Sequence, residues 1–163
     1  MELLSDPQIV MMGKILLAAI LGFIIGTERA VVAKQAAGSR TFALVALGAC
    51  LFVLAGMFVN SQFIGLVTFD PARVVAAVVQ GIGFLGAGLI IFRREALHGV
   101  TTAAGLWVAA GVGAVVAAGM YSVAIFVTIL TLAIFLAVWH IENRFKHWFR
   151  EVEDTIWDDS RSS

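Results

Sequence analysis

Charge is what this sequence has least of. Asp, Glu, Lys and Arg make up 13% of its 163 residues and hydrophobic residues 61%, against about 25% and roughly 45–50% in an ordinary soluble domain. A water-surrounded core of this length could not hide that much apolar surface, so a soluble globular domain is excluded. Much of the surface must face lipid or another helix. The few charges cancel, 11 basic against 11 acidic, so the balance offers nucleic acid no handle. Cysteine is nearly absent. Cys50 stands alone in an apolar run, which rules out an intrachain disulfide and reads as a small packing residue rather than a reactive thiol. A basic leader is missing too: residues 1–14 carry Glu2 and Asp6, and no small-x-small site directly follows the apolar stretch that ends at Thr27. That stretch is read as an uncleaved first helix.

What is present is a set of long apolar runs. A span needs about 20 mostly apolar residues to cross a hydrocarbon core of about 30 Å. Five segments approach this: Ile9 to Thr27, Thr41 to Val59, Pro71 to Phe92, Thr101 to Ala118 and Ser122 to Trp139. Backbone in lipid must satisfy its own hydrogen bonds, which leaves helices or a closed barrel. These runs are continuous, without the short alternation of barrel strands. The predicted fold is therefore all-α, a polytopic bundle of five transmembrane helices over residues 1–139, followed by an amphipathic tail over 140–163. In that tail Ile141, Phe145, Trp148 and Val152 share one helical face, flanked by His140, Lys146, His147 and Arg150, as in a helix lying in the membrane interface. Asp70-Pro71 supplies a cap and a first-turn proline for the third helix. Thr101 is expected to cap the fourth, and Gly119-Met120-Tyr121 to turn into the fifth.

Basic residues set the orientation. Arg29, Lys34, Arg40, Arg93, Arg94, Arg144, Lys146, Arg150 and Arg161 fall on one side of a five-span path, and Lys14 and Arg73 on the other. This predicts an outside amino terminus and a cytoplasmic carboxyl terminus.

Several motifs need sorting. Gly81-Ile82-Gly83-Phe84-Leu85-Gly86 spells the dinucleotide-binding G-x-G-x-x-G, but it lies inside a hydrophobic span and residues 96–141 hold no acid. That pattern needs a preceding strand and an acid about 20 residues on. The better reading is helix packing, where small residues let backbones approach. Gly81, Gly83, Gly86 and Gly88 in helix three, Gly22 and Gly26 in helix one, and the row Gly105, Ala109, Gly113, Ala117 in helix four all fit it, as contacts within the bundle or between subunits. Glu28-Arg29 sits between apolar stretches. It is either a snorkelling interfacial pair or a buried, functional one. Arg73 and Gln80 lie seven residues apart on one helix face, with Gln80 about 14 Å below Pro71 and so near mid-membrane. Its amide should face other helices or water, as a structural hydrogen bond or as part of a polar path. His140 and His147 are two turns apart, too far for a local zinc pair. No nucleophile set, phosphate loop or paired-metal motif is visible, so neither an enzyme nor a cofactor is expected.

Four segments resemble the membrane domain of the MgtC/SapB family: Gly22 to Arg29 with its Gly-x-Glu-Arg ending; Gly38-Ser39-Arg40-Thr41 followed by Ala43 to Gly48; Asp70-Pro71-Ala72-Arg73 leading into Gln80 to Gly88; and Gly99 to Ala104 with Trp107. They cover roughly residues 15–120 in order, and the third is the most specific. The resemblance implies a five-span protein of the bacterial cytoplasmic (inner) membrane, associated in some members with growth in low magnesium and survival inside host cells, and linked to regulation of membrane ATP synthase. Many members carry a soluble carboxyl-terminal domain, in whose place this sequence shows only the short tail.

Two functions follow as expectations. One is a non-enzymatic regulator linked to magnesium homeostasis or low-magnesium adaptation, which binds other membrane proteins, with ATP synthase as the partner implied by the resemblance, or itself as a homo-oligomer. The other is a small oligomeric ion or solute transporter using Arg73, Gln80, Glu28 and Arg40 as a polar path. The topology also predicts a polar cluster at the cytoplasmic face, made of Glu28, Arg29, Arg40, Thr41, Thr101 and Thr102, with Asp70 on the opposite side. Its net positive charge and its helix N-termini favour an anionic ligand or partner carboxylate.

Overall fold

The computed structural model describes residues 6–35, 37–62, 70–93 and 96–159, with side chains as far as residue 141 apart from Pro71, 91–97 and Trp139. Five helices carry the fold: α1 (Pro7–Val31), α2 (Ser39–Gln62), α3 (Pro71–Leu89), α4 (Val100–Ala117) and α5 (Tyr121–Asp159). Each is long and apolar enough to cross a membrane, so the all-α bundle expected from the sequence is the fold observed. Between α3 and α4 lies a feature the sequence reading missed, a hairpin of two three-residue strands, β1 (Ile91–Arg93) and β2 (Ala96–His98), pairing antiparallel with Phe92 opposite Leu97. Such short strands have no room for an alternating pattern.

Local chemistry fixes the ends. Asp6 and Asp70 each precede a proline, and their carboxylates accept from the backbone N–H two residues on, Gln8 at 2.8 Å and Ala72 at 2.9 Å. The same Asp-Pro signature thus starts α1 as well as α3. Thr101 does not cap α4. The N-cap is Gly99, at φ 87°, with no side-chain cap bond, and Thr101 lies exposed within the first turn. An L side chain there would meet both the left-handed backbone and the Leu89 carbonyl. The α4–α5 turn is as read: Gly119 takes φ 81°, its N–H bonds to the Val116 carbonyl and that of Met120 to the Val115 carbonyl. This is the Schellman closure of a helix.

The core lies where α1, α2 and α4 pack on one another, and α4 is its centre, with 61% of its span buried. Phe42, Ile25, Leu106, Val112 and Val116 are fully buried. The helices meet through small residues. A Cβ on Gly22 would fall 2.5 Å from the Phe42 carbonyl oxygen, one on Gly26 2.7 Å from Phe42 Cβ, and one on Gly113 would overlap the Ala46 carbonyl. The row Gly105, Ala109, Gly113 and Ala117 is buried throughout. Large side chains such as Leu16, Phe52, Phe84 and Ile129 point outward, as a lipid-facing surface requires. α3 differs: it packs on α4 and more sparsely on α2, and only 6% of its span is buried.

The first compact unit ends at Thr131, inside the fifth span. From Leu132 the rest of α5 forms a second unit, one helix running uninterrupted from its apolar part to Asp159. Of the amphipathic tail face only Ile141 lies within the described side chains, and it is exposed. Phe145, Trp148 and Val152 lie outside them.

Candidate functional site

α1 runs on to Val31, four residues past the expected end of the first span, and this carries Glu28 and Arg29 inside the helix. Both are 6% exposed. Arg29 Nε donates to Glu28 Oε2 at 2.5 Å, while the buried Glu28 Oε1 has no hydrogen-bond partner among the described residues. The pair is therefore buried rather than snorkelling at the interface. The local cause is the α1–α2 turn, where Gly38 approaches Ala30 and Gly26 sits against Gly38 and Ser39. Thr27 Oγ1 donates to the Phe23 carbonyl at 2.7 Å and lies 3.3 Å from Ser39 Oγ. A buried carboxylate oxygen left without a donor is costly, about 1–3 kcal/mol or more, and calls for a reason beyond packing.

The rest of the expected cluster divides. Thr102 is buried, at the start of α4. Arg40 and Thr101 are exposed, and Thr41 lines a groove between α2 and α3. Burial thus separates Arg40 and Thr101, which are exposed, from Glu28, Arg29 and Thr102, which are buried. Residues at one membrane face need not share a direction around their own helix axes, and so they differ in burial.

On α3 the small residues make little contact within the chain. A Cβ on Gly81, Gly83 or Gly88 meets nothing within 4 Å, and Gly86 alone approaches a neighbour, Ala103 at 3.7 Å. Only the Ile82–Gly86 side of the helix is buried. Arg73 and Ala77 line the α2–α3 groove, whereas Gln80 is exposed and is not among its lining residues. Ala72, Ala76, Gln80, Gly83 and Ala87 are all exposed. At 100° per residue they form one stripe about 80° wide, beside the buried Ile82–Gly86 side. Asp70 is exposed, its carboxylate engaged as the α3 cap.

In the sequence Lys14 entered only as one of the two basic residues on the outer side. It reaches across to α4, where Nζ donates to the Ala117 carbonyl at 2.9 Å, placing a cation on the carbonyl end of the central helix. Among the described residues no group of three His, Cys, Asp or Glu is placed to hold a metal ion.

The MgtC family model matches residues 15–144. The chain belongs to the MgtC family. It is 40% identical over 129 residues to the putative magnesium transporter YhiD of Escherichia coli K12, covering 78% of this chain and 59% of that protein. It is 41% identical over 118 residues to protein MgtC of Salmonella typhimurium LT2, covering 72% of this chain and 48% of that one. An uncharacterized protein of Haemophilus influenzae is 34% identical over 134 residues, covering 80% and 56%. The chain thus aligns with roughly half to three-fifths of these relatives. No solved structure matches it.

Proposed function

We propose that this MgtC-family chain is a non-enzymatic regulator in the bacterial inner membrane, linked to low-magnesium adaptation, which works by binding other membrane proteins. Membrane ATP synthase is the partner that the family resemblance suggests, and a second copy of the chain is an alternative. The basic-residue bias supports an outside amino terminus and a cytoplasmic carboxyl terminus.

The observation that carries this reading is the exposed stripe Ala72, Ala76, Gln80, Gly83 and Ala87 on α3. In lipid no hydrophobic force drives helices together, so small residues and interhelical hydrogen bonds do most of the work. Here small residues line a helix scarcely buried in its own chain, with a mid-membrane amide at their centre. An amide facing hydrocarbon is costly, and a partner helix would relieve that cost. Gly83→Leu tests the reading. Its Cβ meets open space, so the variant should keep its thermal stability in mild detergent yet fail to support growth in low magnesium. Normal growth of a stably inserted variant overturns the proposal.

A second reading, transport of magnesium or another solute, draws on the name of the Escherichia coli relative. Its expected polar path is less well supported. Arg73 lines a groove, Gln80 lies on the exposed stripe, Arg40 is exposed and Glu28 is buried against Arg29. Magnesium flux into liposomes holding only this chain would favour transport over regulation.

A further inference from the structure

We propose that the groove between α2 and α3 binds an anionic phospholipid, with Arg73 holding the phosphate and an acyl chain lying along the groove toward Thr41. The groove has a volume of about 900 Å³, at the upper end of pockets that enclose a whole small molecule. Its rim residues Leu44 and Phe52 are more than 60% exposed, so it opens toward the bilayer. Gly48 and Gly81 help to line it, and a Cβ on either would meet nothing within 4 Å.

Among the described residues lining the groove, Arg73 is the one that carries a charge. It stands in the first turn of α3, at the membrane face opposite Glu28–Arg29 and so at headgroup level. Among the described residues no carboxylate pairs with it, and the nearby Asp70 side chain is engaged by the Ala72 N–H. A guanidinium fork suits a phosphate, which it can bind through two parallel hydrogen bonds.

The dimensions fit an acyl chain. From Arg73 to Leu85 the groove runs about 18 Å along α3, and from Gly56 to Thr41 about 22 Å along α2. One leaflet of the hydrocarbon core is about 15 Å deep, so a chain hung from a headgroup at Arg73 stays in the groove through its whole leaflet. A partner helix would be matched poorly here, being about 10 Å wide and seldom charged within its span. One cation at the headgroup end and an apolar trough beyond it match an amphiphile with a single anionic head. Arg73 shares a helix face with Gln80, but the trough beyond it runs along Ala77, Gly81 and Leu85, away from Gly83 and Ala87, so filling it tests this site without touching that part of the stripe.

Native mass spectrometry of the full chain in mild detergent tests the proposal, with phosphatidylglycerol and phosphatidylcholine titrated in parallel. Phosphatidylglycerol should bind at least about tenfold more tightly, and Arg73→Gln should erase that preference. Gly81→Leu, which fills the trough without touching the charge, should weaken both lipids by about tenfold. Gly48→Leu serves the same purpose if Gly81→Leu fails to fold. Equal binding of the two lipids to the native chain would overturn the proposal. So would a loss in Arg73→Gln without a loss in the trough variants, which would mean surface attraction alone. Crosslinking of a second protein helix through Gly48→Cys, with no bound lipid, would overturn it as well.

Discussion

Gly22→Ala adds one methyl group to α1, and the seam with α2 has no room for it. The new Cβ would lie 2.5 Å from the Phe42 carbonyl oxygen and 2.7 Å from Ala46 Cβ, so the helices must part by on the order of 0.5–1 Å. A gap of that size forfeits a quarter to a half of each contact's well depth, about 0.1–0.2 kcal/mol per atom pair. If the seam holds as many contacts as one buried leucine, on the order of 40–60, the loss is about 2 kcal/mol. Replacing glycine by alanine inside a helix returns up to about 1 kcal/mol of propensity. The control is Gly83→Ala, which gains the same propensity and meets nothing within 4 Å. The two variants should differ by about 2 kcal/mol, or about 4–8 °C in midpoint for a chain of this size. Thermal unfolding in mild detergent, followed by circular dichroism, measures this directly. Equal midpoints, or a more stable Gly22→Ala, would refute the claim that this seam is closed by backbone contact.

Two further outcomes are expected. Lys14→Met removes the bond to the Ala117 carbonyl and should lower stability by about 1 kcal/mol, while Lys14→Arg should keep most of it; equal loss in both would mean that the cation at the end of α4 contributes nothing. With Cys50 replaced by alanine, Ser5→Cys should react with an impermeant thiol reagent in intact cells and Ser162→Cys should not; the reverse pattern would invert the topology.

The bundle was legible in the sequence because lipid imposes one simple demand, about 20 apolar residues per crossing. All five spans follow from it, and Asp70-Pro71 starts α3 where expected. The Asp6-Pro7 start of α1 carries the same signal, outside the apolar run that marked the span. What could not be read is azimuth. Small residues occur on every side of these helices, and their spacing does not say which ones meet a neighbour. Gly22, Gly26 and Gly113 close on other backbones, while Gly81, Gly83 and Gly88 face open space. The dense glycine string drew attention to α3, although the tightest seams lie on α1, α2 and α4. Burial was no more legible: Glu28, Arg29 and Thr102 are buried, while Arg40 and Thr101 are exposed.

The Glu28–Arg29 pair is where structural and functional explanations separate most cleanly. Glu28→Ala would leave the Arg29 guanidinium buried without this carboxylate, a change that typically costs about 3–5 kcal/mol. A drop of that size says only that a buried charge lost a partner, so this variant alone decides nothing. The double variant Glu28→Leu with Arg29→Met is more informative. Replacing a buried ion pair by apolar side chains of similar volume is commonly neutral or stabilising, and here it also removes the Glu28 Oε1 acceptor, which has no donor among the described residues. If the pair existed only to hold α1 in place, such a substitution would be an improvement, and the charges would have no reason to be there. The double variant should therefore unfold at or above the native temperature and yet fail to support growth in low magnesium. A stable double variant that grows as well as the native chain would show that the pair is dispensable, and would return the functional centre of this protein to the exposed stripe of α3.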